Sequence, residues 1–472
     1  MDPYPPPPKP SSSAPDEDQP SSSANGHSKP DLNGPLLPLS KRPKHGVCVA
    51  SEFVHHETGV ARLNNGSFGS CPASVLQAQE KFQRLFLAQP DKFYFDTLQP
   101  ALEKSRRALM PFIGLKDAES TEEVALVDNA TTAAAIVLQH MAWQFTEGTF
   151  HKGDVVLMLH YAYGAVKKSI HAYVARAGAQ VIEVPLPFPL SSPDDIICEF
   201  RNSLRLGNSN GRRVRLAVID HITSMPCVVV PVRELVQICR EEGVDQVFVD
   251  AAHAIGNVEV DVEAIGADFY TSNLHKWFFC PPAVAFLHSR KGRANSLHHP
   301  VVSHEYGNGL PMESGWIGTR DYSSHLVVPE AIDFVNKFEG GIEGIRKRNH
   351  EKVVEMGRML AQAWGTDLGA PPEMSCSMVM VGLPGCLAIQ SDSDAMKLRA
   401  HLREEYKVEV PIYYNSRRRV EAGEAEPTCV TGYARISHQV YNVEAEYFRL
   451  RDAVIKLVND GFKCAMLRST SQ

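Results

Sequence analysis

From Glu123 onward, short apolar runs alternate with longer segments whose apolar positions recur at helical spacing. The runs occupy 124–127, 155–159, 181–184, 214–219, 247–250 and 283–287. They are nearly continuous in Val, Ile, Leu, Ala and Phe and lack polar alternation. That suits strands buried on both faces of a largely parallel sheet. Helical segments fall between several of them, at 166–176 and at 232–242, the latter opened by Pro231. Strand–loop–helix alternation predicts an α/β fold. In such sheets ligands bind at the carboxyl ends of strands.

The flanks read differently. Arg62-Leu63-Asn64-Asn65-Gly66-Ser67-Phe68-Gly69 is dense in turn residues. Cys71-Pro72 then opens a helix with Val75, Leu76, Phe82, Leu85 and Phe86 as apolar positions, and a second helix is expected over 97–110. Two more helices are expected over 329–338 and 342–364. From Pro371 the pattern reads strand 377–383, helix 392–406, strand 408–414, strand 433–437 and helix 443–461, a small α+β domain. The expected division is a tail over 1–45, an N-terminal segment with the large domain over 46–330, and connecting helices with the small domain over 331–472.

The tail is rich in Pro and Ser, a composition that buries no core and predicts disorder. It has no apolar core of a secretory signal, and Asp16, Glu17 and Asp18 fit an organellar transit peptide poorly. Lys41-Arg42-Pro43-Lys44 reads as a solvated linker or a short nuclear import signal. The 472 residues are 43% hydrophobic and 22% charged, with a net charge of −7, so nucleic acid is not expected as a partner. The 10 Cys include no C-x-x-C pair, which argues for reduced thiols in an intracellular compartment; a cytoplasmic one is expected, with a nuclear or organellar one as the alternative. No apolar run is long enough to cross a bilayer, so no membrane is expected. No G-x-G-x-x-G follows a strand. His298, His299 and His304 lack a carboxylate in register, and no metal site is expected.

The candidate chemistry sits at run ends. Asp250 closes QVFVD, His253 follows, and Lys276 lies after ADFYTSN and before WFF. An amine in apolar surroundings is shifted toward its neutral form. That form makes a Schiff base with an aldehyde cofactor. An aspartate at a strand end can hold a pyridinium nitrogen protonated. Asn129, Thr131 and Thr132 open an Ala-rich helix whose free N–H groups suit a phosphate. Tyr163 can lie against a planar ring. Thr223 and Ser224 offer hydroxyls, and Arg435 in GYARISH offers a guanidinium for a carboxylate. Each has a plain structural alternative: N-capping, an aromatic core position, a capped turn, an ion pair, a snorkelling lysine.

Taken together, the chain resembles the class V aminotransferase family of fold-type-I pyridoxal-phosphate enzymes over about residues 46 to 465. It is most similar to the branch holding isopenicillin N epimerase-like proteins and plant L-cysteine desulfhydrases. The resemblance rests on Asn129-Ala130-Thr131-Thr132, Asp250-Ala251-Ala252-His253, Asn273-Leu274-His275-Lys276-Trp277 and Gly318-Thr319-Arg320-Asp321. It implies that Lys276 carries pyridoxal phosphate, Asp250 pairs with the pyridine nitrogen and His253 approaches the phenolic oxygen. It further implies that Tyr163 stacks on the ring and that Thr131, Thr132, His275 and Asn273 cradle the phosphate. Thr319 would reach it from the partner subunit of a homodimer with shared sites. Arg435, helped by Asn65, would bind the substrate carboxylate.

One departure bears on the reaction. Relatives that pass sulfur to a protein carry a nucleophilic cysteine on a small-domain loop. Here Asn415-Ser416-Arg417-Arg418-Arg419 has none, and Cys429, Cys376 and Cys386 do not reproduce the motif. The expected activity is therefore an L-cysteine desulfhydrase giving sulfide, pyruvate and ammonia. The alternatives are a cysteine desulfurase, an epimerase or other C–S lyase on the same scaffold, or a degenerate fold acting as an interaction protein.

Overall fold

The computed structural model describes residues 49–115, 120–293, 296–415 and 430–467. The tail over 1–45, its basic cluster, residues 416–419 and Cys429 lie outside them. Among the described residues, twelve strands occur in chain order: β1 (Ala61–Arg62), β2 (Val124–Val127), β3 (Val155–Leu159), β4 (Gln180–Val184), β5 (Val214–Asp220), β6 (Gln246–Asp250), β7 (Phe269–Asn273), β8 (Ala285–Ser289), β9 (Met378–Gly382), β10 (Val408–Glu409), β11 (Ile412–Tyr414) and β12 (Gly432–Ser437).

Seven of them form one sheet in the order β2-β8-β7-β6-β5-β3-β4. Only β8 runs antiparallel to its neighbours β2 and β7. This is the mostly parallel α/β sheet that the apolar runs predict. β2, β3, β5, β6, β7 and β8 are buried at every position, whereas the edge strand β4 is partly exposed. Alternate residues feed two cores. Leu157, Ala217 and Val249 point to one face, and Val156, Val218 and Phe248 to the other. Each such side chain contributes about 1.5–3 kcal/mol by leaving water.

β7 is the strand that the pattern does not single out. Its sequence, FYTSN, ends in polar residues, yet all five are buried. The sheet absorbs the hydroxyls: Thr271 Oγ1 donates to Phe286 O at 2.7 Å, and Ser272 Oγ donates to Ala251 O at 2.5 Å.

Toward the C-terminus, β11-β12-β9 form an antiparallel sheet. The helices Gly341–Trp364, Asp392–Tyr406 and Glu444–Asn459 share a separate apolar cluster with it. The strand expected over 408–414 is two strands, β10 and β11, with Pro411 between them. Proline has no N–H to continue a ladder. β10 pairs instead with β1, which draws the chain just before Asn64 into this half of the molecule. The helix expected over 97–110 begins as a π-helical turn, Phe93–Leu98, and continues as Gln99–Leu109. The one expected over 166–176 is Gly164–Ser169 followed by a π turn, Ile170–Ala175.

Candidate active site

The carboxyl ends of β2, β3, β5, β6 and β7 open onto a cleft of about 310 Å³. Asn129, Tyr163, Asp220, Asp250, His253 and Lys276 are among its walls, and Gly66, Ser67, Phe68 and Arg399 close it from outside the sheet.

Lys276 is delivered by the shortest route from a strand end. β7 stops at Asn273, and the single turn Leu274–Trp277 follows, with Leu274 and Trp277 buried as its anchors. The Lys276 Nζ lies 3.2 Å from His253 Nε2. On the far side of that ring, Trp277 Nε1 donates to His253 Nδ1 at 3.5 Å. A neutral imidazole accepting at Nδ1 carries its proton on Nε2 and presents it to an unprotonated amine. The electrostatics shift both groups toward these forms. Burial, helped by the Arg435 charge and opposed by Asp250, brings the Lys276 amine down to about 8. Burial and then the Lys276 charge keep the His253 imidazole well below its usual value, hence neutral.

Two carboxyls stand side by side at the next strand ends. Asp220 closes β5, Asp250 closes β6, and the two are paired in register. Burial raises both; the neighbouring Asp250 charge pushes Asp220 further, well above the usual carboxyl range. Asp250 Oδ1 accepts from Ala252 N at 3.1 Å. Asp220 Oδ2 is sealed from water with no partner. A buried carboxyl oxygen without a donor costs about 1–3 kcal/mol, so the fold carries a polar group that it does not itself satisfy.

The helix Ala130–Thr146 starts directly after β2. Asn129 caps it: its Oδ1 accepts from Thr132 N at 2.9 Å and from Thr132 Oγ1 at 3.3 Å. Asn273 reaches across from β7 and its Oδ1 accepts from Ala130 N at 2.9 Å. Thr131 faces the cleft, with its N–H in the first turn where the helix supplies no acceptor. Thr132 is not among the lining residues, and its hydroxyl serves the cap. His275 lines the cleft; its Nδ1 sits 2.9 Å from Val284 O, and burial lowers it to about 4. Behind this end, Arg320 forms a two-point ion pair with Asp128, one arm at 2.7 Å.

Behind Gly66, at the other end, lies Arg435, buried on β12 and not itself among the residues lining the cleft. Its Nη1 donates to Ser224 O at 2.7 Å, and its Nη2 donates to Asn64 Oδ1 at 2.9 Å and Ser67 Oγ at 2.7 Å. Ser224 thus lines the cleft while its carbonyl orients the guanidinium. Asn65 points elsewhere: its Nδ2 donates to Asn442 Oδ1 and its Oδ1 accepts from Tyr441 OH, each at 2.8 Å. The loop's glycines are there for close approach. A Cβ on Gly69 would enter the His275 and Lys276 carbonyl oxygens, and one on Gly66 would strike Met378 and crowd the Arg435 guanidinium.

Two expected residues sit at the margin. Tyr163 lines the cleft and is half exposed. Thr319 is exposed and is not among the residues lining this chain's cleft. The His-rich loop is held by Glu313, whose Oε1 lies 2.8 Å from His298 Nδ1 and whose Oε2 accepts from His299 N at 2.9 Å. Among the described residues no cluster suits a metal ion. Sequence reasoning missed Asn64, Ser67, Asp220, Arg320 and Arg399 as parts of the site. Asp220 had a usable signal, an acid closing an apolar run as Asp250 does. Arg399 had none, because it is one cation among several on its helix.

A family profile described as "Aminotransferase class-V" matches residues 69–392. The chain belongs to this family. It is 70% identical over 442 residues to the "Putative L-cysteine desulfhydrase 1" of Oryza sativa subsp. japonica, covering 92% of this chain and 91% of that one. It is 62% identical over 422 residues to the "Probable L-cysteine desulfhydrase, chloroplastic" of Arabidopsis thaliana, covering 89% and 87%. The solved cysteine desulfurase of Thermococcus onnurineus NA1 superposes with a TM-score of 0.62 at 18% identity, over 85% of this chain and 95% of that one, a likeness of fold.

Proposed function

We propose that this class V aminotransferase-family chain is a pyridoxal-phosphate-dependent L-cysteine desulfhydrase, releasing sulfide, pyruvate and ammonia. The observation that carries the reading is the Lys276 amine, buried, brought down to about 8 and 3.2 Å from a neutral His253 in a cleft that also holds Asp250.

The residues present fit the cofactor. Asp220 Oδ2 lacks a partner, Thr131 and His275 stand at a helix start, and Tyr163 is half exposed beside them. Lys276 would hold the aldehyde carbon, Asp250 the pyridine nitrogen and His253 the phenolic oxygen. When bound, pyridoxal phosphate supplies an electron sink for the pair left when the substrate Cα–H is broken. Lys276, as a neutral amine, removes that proton, and an amine near 8 is matched to such work at neutral pH. Arg435, already oriented by Ser224, Asn64 and Ser67, would grip the substrate carboxylate. Among the described residues no thiol lines the cleft, which favours elimination over transfer of sulfur to a protein cysteine. The reading extends to a homodimer in which Thr319 completes the partner's phosphate cradle, and to the domain division near residue 330. It also extends to a cytoplasmic location; no helix among the described residues is long and apolar enough to cross a membrane.

The test is one incubation of purified protein with L-cysteine, assaying sulfide, pyruvate and alanine together. Sulfide with equimolar pyruvate supports the reading, and alanine in place of pyruvate makes the chain a desulfurase. Lys276→Ala should fold, lose the cofactor's protein-bound absorbance and lose turnover by orders of magnitude.

A further inference from the structure

Two guanidiniums, Arg399 on the cleft wall and Arg435 buried behind Gly66, bring more positive charge to this end than one amino-acid carboxylate uses. Arg399, on the helix Asp392–Tyr406, lines the same cleft as Ser67, Tyr163 and Lys276. It is partly exposed there. Burial lowers Arg435, and the Arg399 charge lowers it further, so Arg435 lies within the field of Arg399; Arg399 itself is lowered by burial and by Arg403 on its own helix. Neither Arg435 nor Arg399 forms an ion pair among the described residues. The partners of Arg435 are a carbonyl, an amide oxygen and a hydroxyl, all uncharged. Glu409 is the acid whose field reaches Arg399, and it makes no hydrogen bond to it among the described residues. Two neighbouring cations in a partly dry cleft repel one another unless anions come between them.

We infer that Arg399 is a specificity-determining residue that binds a second anionic group of the substrate, carried on the sulfur. The preferred class is then an S-substituted L-cysteine whose sulfur substituent ends in a carboxylate. This rests on the desulfhydrase reading for its chemistry. Lys276 takes the Cα proton and the Cβ–S bond breaks with its electron pair going to sulfur. Sulfur leaves as a protonated thiol, and water hydrolyses the remaining imine to pyruvate and ammonium.

Isothermal titration of the holoenzyme with S-carboxymethyl-L-cysteine and with its neutral counterpart S-carbamoylmethyl-L-cysteine tests the inference. Wild type should bind the acid about tenfold or more tightly than the amide, the range for one charge-assisted hydrogen bond. Arg399→Gln should erase that ratio, and Arg399→Lys should restore part of it. Equal binding in wild type, or a ratio that survives in Arg399→Gln, overturns the inference. So does a rise in the KM for L-cysteine as large as the loss for the acid, because Arg399 would then be holding the α-carboxylate. Thiol release from each ligand is followed in parallel, and the ratio is taken as that of kcat/KM where turnover occurs and of Kd where it does not, so a preparation that makes no sulfide from L-cysteine but keeps the ratio refutes the desulfhydrase reading and not this one.

Discussion

The protonation state of Lys276 can be measured before any cofactor chemistry. With the amine brought down to about 8 from the ordinary 10.5, about one-fifth of it is neutral at pH 7.4. An ordinary lysine is neutral roughly one time in a thousand at that pH. The site thus supplies on the order of two hundred times more nucleophile, and the causes are separable. Arg435 pushes the value down and Asp250 pulls it up. Arg435→Gln removes a repelling cation, so the titration midpoint should rise. Asp250→Asn removes an attracting anion, so it should fall. Competitive acetylation of the apoprotein across pH 6–11, read by peptide mass spectrometry against the exposed lysines, reports the midpoint directly. Lys276 lines the open cleft, so the reagent can reach it. A wild-type midpoint near 10, or shifts in the same direction for both variants, would refute the electrostatic account of the site.

Three further outcomes follow from named contacts. The folded-state value of Lys276 lies below its unfolded one, so its burial penalty is fully present below about pH 8 and disappears as the pH rises toward 10.5. Urea titration of the apoprotein should therefore show Lys276→Met more stable than wild type at pH 7, by up to about 3 kcal/mol, with the gap closing by pH 10; a less stable variant contradicts this. Gly69→Ala forces the loop off the His275 and Lys276 carbonyls and should cost about 1–3 kcal/mol together with cofactor retention, measured by thermal melting and by absorbance after dialysis. Arg320→Ala strips Asp128 of its main partner and should cost about 1–3 kcal/mol at pH 7. Asp128 is held well below its usual value, its burial outweighed by His325 and Arg320. Its contribution is therefore present above the ordinary 3.8 and lost as the pH falls through the lower folded value, so the two acid-unfolding curves should converge at low pH.

The large sheet was legible because five of its seven strands, β2, β3, β5, β6 and β8, are buried at every position and spell that out in β-branched and aliphatic residues. β7 was not, because a strand ending in Tyr270-Thr271-Ser272-Asn273 looks polar until neighbouring backbone accepts its hydroxyls. Lys276, Asp250, His253 and Tyr163 were legible as chemistry at strand ends, and one cleft gathers them. Asn65 shows what local reading cannot do. Asn64 and Asn65 are adjacent and identical in type, and successive residues of an extended chain face opposite ways. Asn64 turns to Arg435 and Asn65 to Asn442 and Tyr441. Choosing between them needs the β1–β10 pairing, which joins positions more than three hundred residues apart and leaves no mark on either segment.

That pairing also explains how the two ends of the cleft are kept in register. The carboxyls Asp220 and Asp250 are fixed to the large sheet, and Arg435 is fixed to β12 of the smaller one. Without a physical tie, a shift of either sheet would change the distance between the Lys276 amine and the Arg435 guanidinium, and with it the value of Lys276. The loop after β1 supplies the tie from both sides. Leu63 N donates to Glu409 O at 3.0 Å, and Asn65 N to Ser437 Oγ at 2.8 Å, which binds the loop to the smaller sheet. Gly69 packs directly against the carbonyls of His275 and Lys276, just past the end of β7. Asn64 and Ser67 between these points hold Arg435 itself. The NNGSFG turn therefore bears on the spacing between the Lys276 amine and the Arg435 guanidinium, and that is a physical reason for small residues where a surface turn would accept almost any.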